Sequence, residues 1–504
     1  MKRSLRMVGI AAVAALAMGT AIVATQTASA EPTAKIAWKP CKDAEGKVYC
    51  ATIKVPLDYS DPHGEKIKIG LAKRPATKPD KRIGALVVNP GGPGGSGVDM
   101  VKNTTVGSKK MQERFDLIGF DPRGINTSTQ IKCEEADIEA TFDIGLPTTK
   151  KKFTKLAKAN KKLADGCRKL TGPLFDHADN LHVVRDIEVI RKSLGEKKLN
   201  FLGYSYGTLM GQQYAEKYPT KIRSMVLDGN MDHSLESTYA FASTETGAVE
   251  RNFNEFAKWC DSDKKCALSG KTAKVYGELR ELAKAGKLVD EGEKLDFYEF
   301  SDYYGFAVNE PGYWGELAKE LKALKAGQPK QNKLKSASDR AAVEYVFQSM
   351  FCADWGLGLK NFDEWKQLNA DLAKEHPNTQ WSSYNANIAG CVGDPVGYTN
   401  KRKPLEIEGA PPLVMIGNLG DYATVYPWSQ VAAEQSGATL ITYEGYGHTI
   451  YGGGYSCIDK PVESYFIDLK KPADGISCDS LETPGKSTKD RTGDVAGVGP
   501  YSLN

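Results

Sequence analysis

The stretch that most narrows the folds open to this chain is Leu199 to Tyr218. An apolar pair, Phe201-Leu202, runs into Gly203-Tyr204-Ser205-Tyr206-Gly207 and then into a helix-like segment that Pro219 ends. That order reads as strand, sharp turn, helix. A turn this tight puts Ser205 in a strained backbone conformation, and the glycines two before and two after it remove side chains that would collide. The hydroxyl is lifted clear of the sheet edge and set at a helix N-terminus, where backbone N–H groups favour developing negative charge. Gly-x-Ser-x-Gly alone also serves as an ordinary turn; between a strand and a helix it reads as a nucleophile.

Upstream, Ala85-Leu86-Val87-Val88 is a continuous apolar run, as expected of a strand buried on both faces, and it opens onto Asn89-Pro90-Gly91-Gly92-Pro93-Gly94-Gly95-Ser96-Gly97. So many glycines cannot pack a core. They let backbone approach something closely, or form a concave nest of N–H groups. The loop lacks the Lys-Ser/Thr ending of a phosphate-binding loop and the spacing of a dinucleotide fingerprint. It reads better as half of an oxyanion hole, with one N–H from Gly92 and the other from Tyr206, the residue after the nucleophile.

Strands and helices alternate around these two motifs. Alternating runs at Ala51–Val55 and Ile67–Lys73 read as antiparallel strands at a sheet edge. Phe115–Phe120 is another buried strand, ending in Asp121-Pro122-Arg123-Gly124, where Arg123 reads as a brace between loops. Val183, Ile187, Ile190 and Leu194 fall on one face of a helix that leads into the elbow, and Ser224–Asp228 is a further strand. Together they specify a mostly parallel sheet with helices on both faces. The alternation stops at Asp232, and residues 232–409 read as an inserted helical cap. Sheet patterning resumes at Pro412–Gly417 and Thr439–Tyr443. The expected divisions are therefore 31–231 and 410–483 for the core, 232–409 for the cap and 484–504 for a flexible tail.

A serine hydroxyl is a poor nucleophile until a base takes its proton, and that base needs an acid to orient it. In this architecture the chain order is Ser, then Asp or Glu, then His. Of six histidines, His63, His177 and His182 precede Ser205, while His233 and His376 fall in or beside the cap. His448 alone follows a late strand in a Gly-flanked loop, and Asp421 sits just past the end of the preceding strand. The expected triad is Ser205, Asp421 and His448, and its chemistry is acyl transfer.

The N-terminus is a leader. Lys2, Arg3 and Arg6 precede an Ala-, Val- and Met-rich run, and Ala28-Ser29-Ala30 is a small-residue cleavage site, so residues 1–30 read as a secretory signal peptide. Removing them takes away three cations and no anion, so the formal charge falls from +4 to +1, which gives no case for nucleic acid. Nothing suggests a membrane anchor. In an exported chain the ten cysteines, Cys41, Cys50, Cys133, Cys167, Cys260, Cys266, Cys352, Cys391, Cys457 and Cys478, read as disulfides rather than metal ligands. Connectivity stays open, although pairing neighbours in order closes short to medium loops and leaves none over. Neither a metal nor an organic cofactor is indicated.

Taken together, Gly91-Gly92-Pro93-Gly94, Asp121-Pro122-Arg123-Gly124, Gly203-Tyr204-Ser205-Tyr206-Gly207-Thr208, Val226-Leu227-Asp228-Gly229, Asp421 with Thr424, and Gly447-His448 resemble the secreted bacterial tripeptidyl aminopeptidases. These are alpha/beta hydrolases related to proline iminopeptidase. The chain departs from their pattern at Asn126, where they usually carry glycine, and at Tyr422 and Val425, where they carry prolines around the acid. The resemblance implies release of short peptides, often tripeptides, from free N-termini. An exopeptidase needs a carboxylate for the substrate ammonium, and Glu250 and Asp354 in the cap are the candidates. A carboxylesterase with the same triad is the alternative reading. A non-catalytic binding protein of the same fold would be expected to have lost a triad member, and none is missing.

Overall fold

The computed structural model describes residues 36–290, 292–327 and 349–486. The expected leader and, from residue 487 on, the expected tail lie outside the described residues.

The continuous apolar runs form the middle of one large sheet. Strands β1 (Lys39–Pro40), β2 (Tyr49–Pro56) and β3 (Lys66–Arg74) make an antiparallel edge. Next come β4 (Gly84–Asn89), β5 (Phe115–Phe120), β6 (Leu199–Tyr204) and β7 (Ile222–Asp228). A short hairpin, β8 (Leu288–Asp290) and β9 (Glu293–Leu295), lies apart from the sheet, which β10 (Val414–Gly420), β11 (Thr439–Tyr446) and β12 (Ser477–Cys478) complete. The ten strands follow the order β1-β2-β3-β5-β4-β6-β7-β10-β11-β12, parallel from β5 through β12.

Successive residues of a strand point to opposite faces, and both faces here are apolar. Val87, Ile118, Phe201, Met225 and Met415 join one core with Val183, Ile187 and Ile190 of helix Asn180–Ser193 and Leu209, Met210 and Tyr214 of helix Tyr206–Lys217. Leu86, Val88, Leu202, Val226 and Ile416 join the other with Val98, Val101, Ile458 and Phe466. Helices therefore cover both faces. The stretch between β7 and β10 is helical, as its lost alternation predicts, and β8–β9 is its one strand pair among the described residues. Its longest helix among the described residues, Thr238–Ser262, carries Phe253 and Phe256 into a separate apolar cluster with Tyr276, Phe300 and Trp314.

Five disulfides join Cys41 to Cys50, Cys133 to Cys167, Cys260 to Cys266, Cys352 to Cys391 and Cys457 to Cys478, the in-order pairing. Arg123 is fully buried and braces three segments. Its guanidinium donates to Asp186 at 2.7 and 2.8 Å, to the carbonyls of Pro56 and Leu57, and to that of His177. Asn126, in the same loop, has φ 40°, the left-handed geometry that asparagine tolerates. Removing one member of a buried ion pair leaves the other uncompensated, so Arg123→Leu is expected to cost about 3–5 kcal/mol. Urea denaturation measures this; a loss under about 1 kcal/mol would remove Arg123 from its bracing role.

Candidate active site

Parallel strands gather their carboxyl ends along one edge, and the loops after β4, β6, β7, β10 and β11 meet there. Ser205 follows β6 with φ 54° and ψ −125° and caps helix Tyr206–Lys217. Such a conformation costs a non-glycine residue on the order of 1–3 kcal/mol and persists only where neighbours fix it. They do: the Ser205 N–H donates to the Asp228 carbonyl at 2.9 Å, and its carbonyl accepts from the Thr208 N–H and hydroxyl. The flanking glycines are sterically required. A Cβ at Gly203 would come within 2.4 Å of the Gly207 carbonyl oxygen, and one at Gly207 within 2.9 Å of the Asn89 carbonyl oxygen.

The glycine loop presses against this turn. Gly91 has φ 94°, and a Cβ there would sit 2.8 Å from both the Ser205 Cβ and the Tyr206 nitrogen. Gly92 follows with φ 115°, and the loop is closed by Gly95 N–H donating to the Gly91 carbonyl. The Tyr206 N–H is the first of its helix, one of those that have no acceptor within the helix.

Asp421 lies one residue past β10 and is fully buried. Its Oδ1 accepts from the N–H groups of Ala423 and Thr424, and its Oδ2 from the Thr424 hydroxyl. Both oxygens stand 3.0 Å from Nδ1 of His448, and the Thr424 hydroxyl stands 3.3 Å from the same nitrogen. The loop bearing His448 is anchored two residues on, where the Asp228 carboxylate accepts from the N–H groups of Ile450 and Tyr451 at 2.7 Å each. Nε2 of His448 is buried without a hydrogen-bond partner among the described residues. Burial pushes the His448 pKa down, but the charge and hydrogen bond of Asp421, with the charge of Asp228, more than offset it and hold the pKa above its ordinary value. Burial pushes Asp228 up to about 7.

The structure thus brings Asp421 and His448 into hydrogen-bond contact and sets the His448 loop and Ser205 on the same residue, Asp228. The two carboxyls named for the substrate ammonium, Glu250 and Asp354, both have partners within the protein. Glu250 accepts from the backbone and side chain of both Asn378 and Thr379, clamping their loop to helix Thr238–Ser262. Asp354 is fully buried and accepts from the Asn180 N–H, the Asn400 amide and the Tyr206 hydroxyl. Burial, with the charge of Asp179, pushes it up to about 7. Both carboxyls are engaged by the protein's own donors.

Sequence reasoning passed over Glu245. It is fully buried on helix Thr238–Ser262, and neither of its carboxyl oxygens has a hydrogen-bond partner among the described residues. Burial and the nearby charge of Asp421 hold its pKa well above the ordinary value. About two turns on, this helix reaches the loop before Asp421, where Arg251 and Asn252 donate to the carbonyls of Leu419 and Gly420. Nothing local separates Glu245 from the solvated acids around it in sequence. Tyr422, one of the departures, meets the ring of Phe306 from the stretch between β7 and β10, 4.9 Å away.

The family profile described as alpha/beta hydrolase fold matches residues 84–454. A Streptomyces lividans protein named tripeptidyl aminopeptidase is 28% identical over 93% of this chain and 90% of its own length. Serine protease Hip1 of Mycobacterium tuberculosis (strain H37Rv) is 28% identical over 93% of this chain and 96% of its own. Carboxylesterase B of the same strain is 30% identical over 85% of this chain and 86% of its own.

The balance at His448 is directly measurable. NMR titration of its imidazole should give a pKa above 6.5. Asp421→Asn removes the charge and leaves burial, so the pKa should fall below 6.5. An unchanged value would show that Asp421 does not set it.

Proposed function

This chain belongs to the alpha/beta hydrolase fold family and is a serine hydrolase, and from that premise we propose that it is an exported exopeptidase that releases short peptides, tripeptides foremost, from free N-termini. The observation that carries the chemistry is the His448 ring, held by Asp421 through Nδ1 and left unpartnered at Nε2. In this reading Nε2 takes the Ser205 proton as the hydroxyl oxygen attacks the scissile carbonyl. Asp421 fixes the tautomer and stabilises the imidazolium, and the N–H groups of Gly92 and Tyr206 receive the oxyanion. His448 then protonates the leaving amine, and water repeats the sequence on the acyl-enzyme.

The likeness to proteins named tripeptidyl aminopeptidase over nearly the whole chain supports the exopeptidase reading. Export is supported by the leader-like N-terminus and by five disulfides, which persist in oxidising compartments. No helix among the described residues is long and apolar enough to cross a membrane. The ammonium of a free N-terminus calls for a carboxylate with vacant acceptor capacity. Glu250 and Asp354 would have to surrender existing bonds to serve, whereas Glu245 has none to surrender. We assign the ammonium contact to Glu245. A second reading, a carboxylesterase, is favoured by the likeness to carboxylesterase B, because triad and oxyanion hole serve esters equally well.

The test compares a free tripeptide anilide, its N-acetylated twin and a simple aryl ester. The free tripeptide should be cleaved and its blocked twin should not. Ser205→Ala should keep the fold and lose about 10⁶-fold in kcat, and Glu245→Gln should raise KM for the free tripeptide about tenfold or more while leaving the ester unchanged. Equal cleavage of both peptides would overturn the exopeptidase reading, and cleavage of the ester alone would select the esterase. An unchanged KM in Glu245→Gln would remove that residue from recognition.

A further inference from the structure

Two of the histidines set aside because they precede Ser205 lie together, far from His448 in sequence. His177 ends the 3-10 helix Gly172–His177, and His182 stands in the first turn of helix Asn180–Ser193. Nδ1 of His177 is 3.2 Å from Nε2 of His182, and one ring nitrogen of each histidine and a carboxylate oxygen of Asp58 all lie within 4.8 Å of one another. All three residues are half-buried. We propose that Asp58, His177 and His182 form a binding site for a divalent transition-metal ion of the zinc class, acting as a clasp between the loop after β2 and the start of helix Asn180–Ser193.

Three observations carry this. The first is the tautomer of His182. Its Nδ1 lies 2.9 Å from Oδ1 of Asp179, so the N–H points to the carboxylate and the Nε2 lone pair points toward His177. A carboxylate behind a ligating histidine is the usual outer shell of a zinc site. Asp179 is itself held, accepting from the His182 N–H and the Thr399 hydroxyl.

The second is spacing. Two nitrogens bound to one tetrahedral zinc at 2.0–2.1 Å stand about 3.3 Å apart, close to the separation seen. A plain hydrogen bond between imidazoles has a similar length but needs no third donor. Here the third comes from a separate part of the chain. The Asp58 oxygens accept from the Ser60 N–H and hydroxyl, and a carboxylate with four lone-pair sites keeps capacity for a cation.

The third is preorganisation. The buried Arg123 guanidinium donates to the carbonyls of Pro56, Leu57 and His177, so it fixes the backbone just before Asp58 and at His177. Asp186 neutralises it and also accepts from the Tyr59 hydroxyl. Ligand-bearing backbone is therefore positioned with or without an ion. Two imidazoles and one carboxylate suit zinc-like ions better than calcium or magnesium, and they leave a fourth position for water.

The test is calorimetric titration of the chelator-treated, dialysed mature protein with zinc chloride, with thermal midpoints measured in parallel. Wild type should bind one equivalent and gain in midpoint. His177→Gln and His182→Gln should lose both effects, Asp58→Asn should weaken binding at least tenfold, and Asp179→Asn should weaken it about 10–100-fold. The exposed His63→Gln should behave as wild type. Ester hydrolysis without metal reports whether each variant is folded, and if a histidine variant is not, the two asparagine variants carry the comparison. Wild type that binds no zinc, or folded ligand variants that bind it as wild type does, would overturn the proposal.

Discussion

Asp228 is the residue on which the site depends. Its carbonyl accepts the Ser205 N–H and so helps hold a backbone at φ 54° that serine does not adopt freely. Its carboxylate, buried and pushed up to about 7, gathers the N–H groups of Ile450 and Tyr451 and so fixes the loop that carries His448. One residue at the end of β7 thereby sets the elbow and the histidine loop in a common frame. In-register pairing of Tyr204 with Asp228 extends that frame into the sheet. Asp421 reaches it from the other side, since β10 is the next strand after β7.

The sheet was legible in sequence wherever burial on both faces forces an unbroken apolar run. Ala85–Val88 lies inside β4, Phe115–Phe120 coincides with β5, and Ser224–Asp228 lies inside β7. The elbow was legible because its glycines are required by contacts only 2.4 to 2.9 Å away. Two-residue strands such as β1 and β12 leave no period to read. The β8–β9 hairpin is largely solvent-facing, with Val289 46% exposed, so it has no buried run either. Asp421 and His448 could be placed because chain order and strand ends constrain them.

The carboxyls between β7 and β10 could not be sorted the same way. Whether an acid on a helix meets solvent, a neighbouring loop or nothing is decided by tertiary contacts. Glu250 meets the Asn378–Thr379 turn, Asp354 meets Tyr206, and Glu245, one turn earlier on the same helix as Glu250, meets no hydrogen-bond donor among the described residues. The same limit hid the His177–His182–Asp58 cluster. Its members come from two chain segments, which the buried Arg123 and Asp186 help draw together. Arg123 itself was readable as a brace, because an arginine in a turn between loops has carbonyls and carboxylates to satisfy.

The central claim is that Ser205 is the nucleophile and that His448 activates it. A fluorophosphonate reagent, which needs an activated serine, tests this when the labelled protein is digested and the adduct located by peptide mass spectrometry. The account predicts one adduct per chain, on Ser205, appearing in step with loss of hydrolysis and strongly slowed in His448→Ala. Loss of hydrolysis with the adduct on another residue, or labelling of Ser205 at an unchanged rate in His448→Ala, would contradict it.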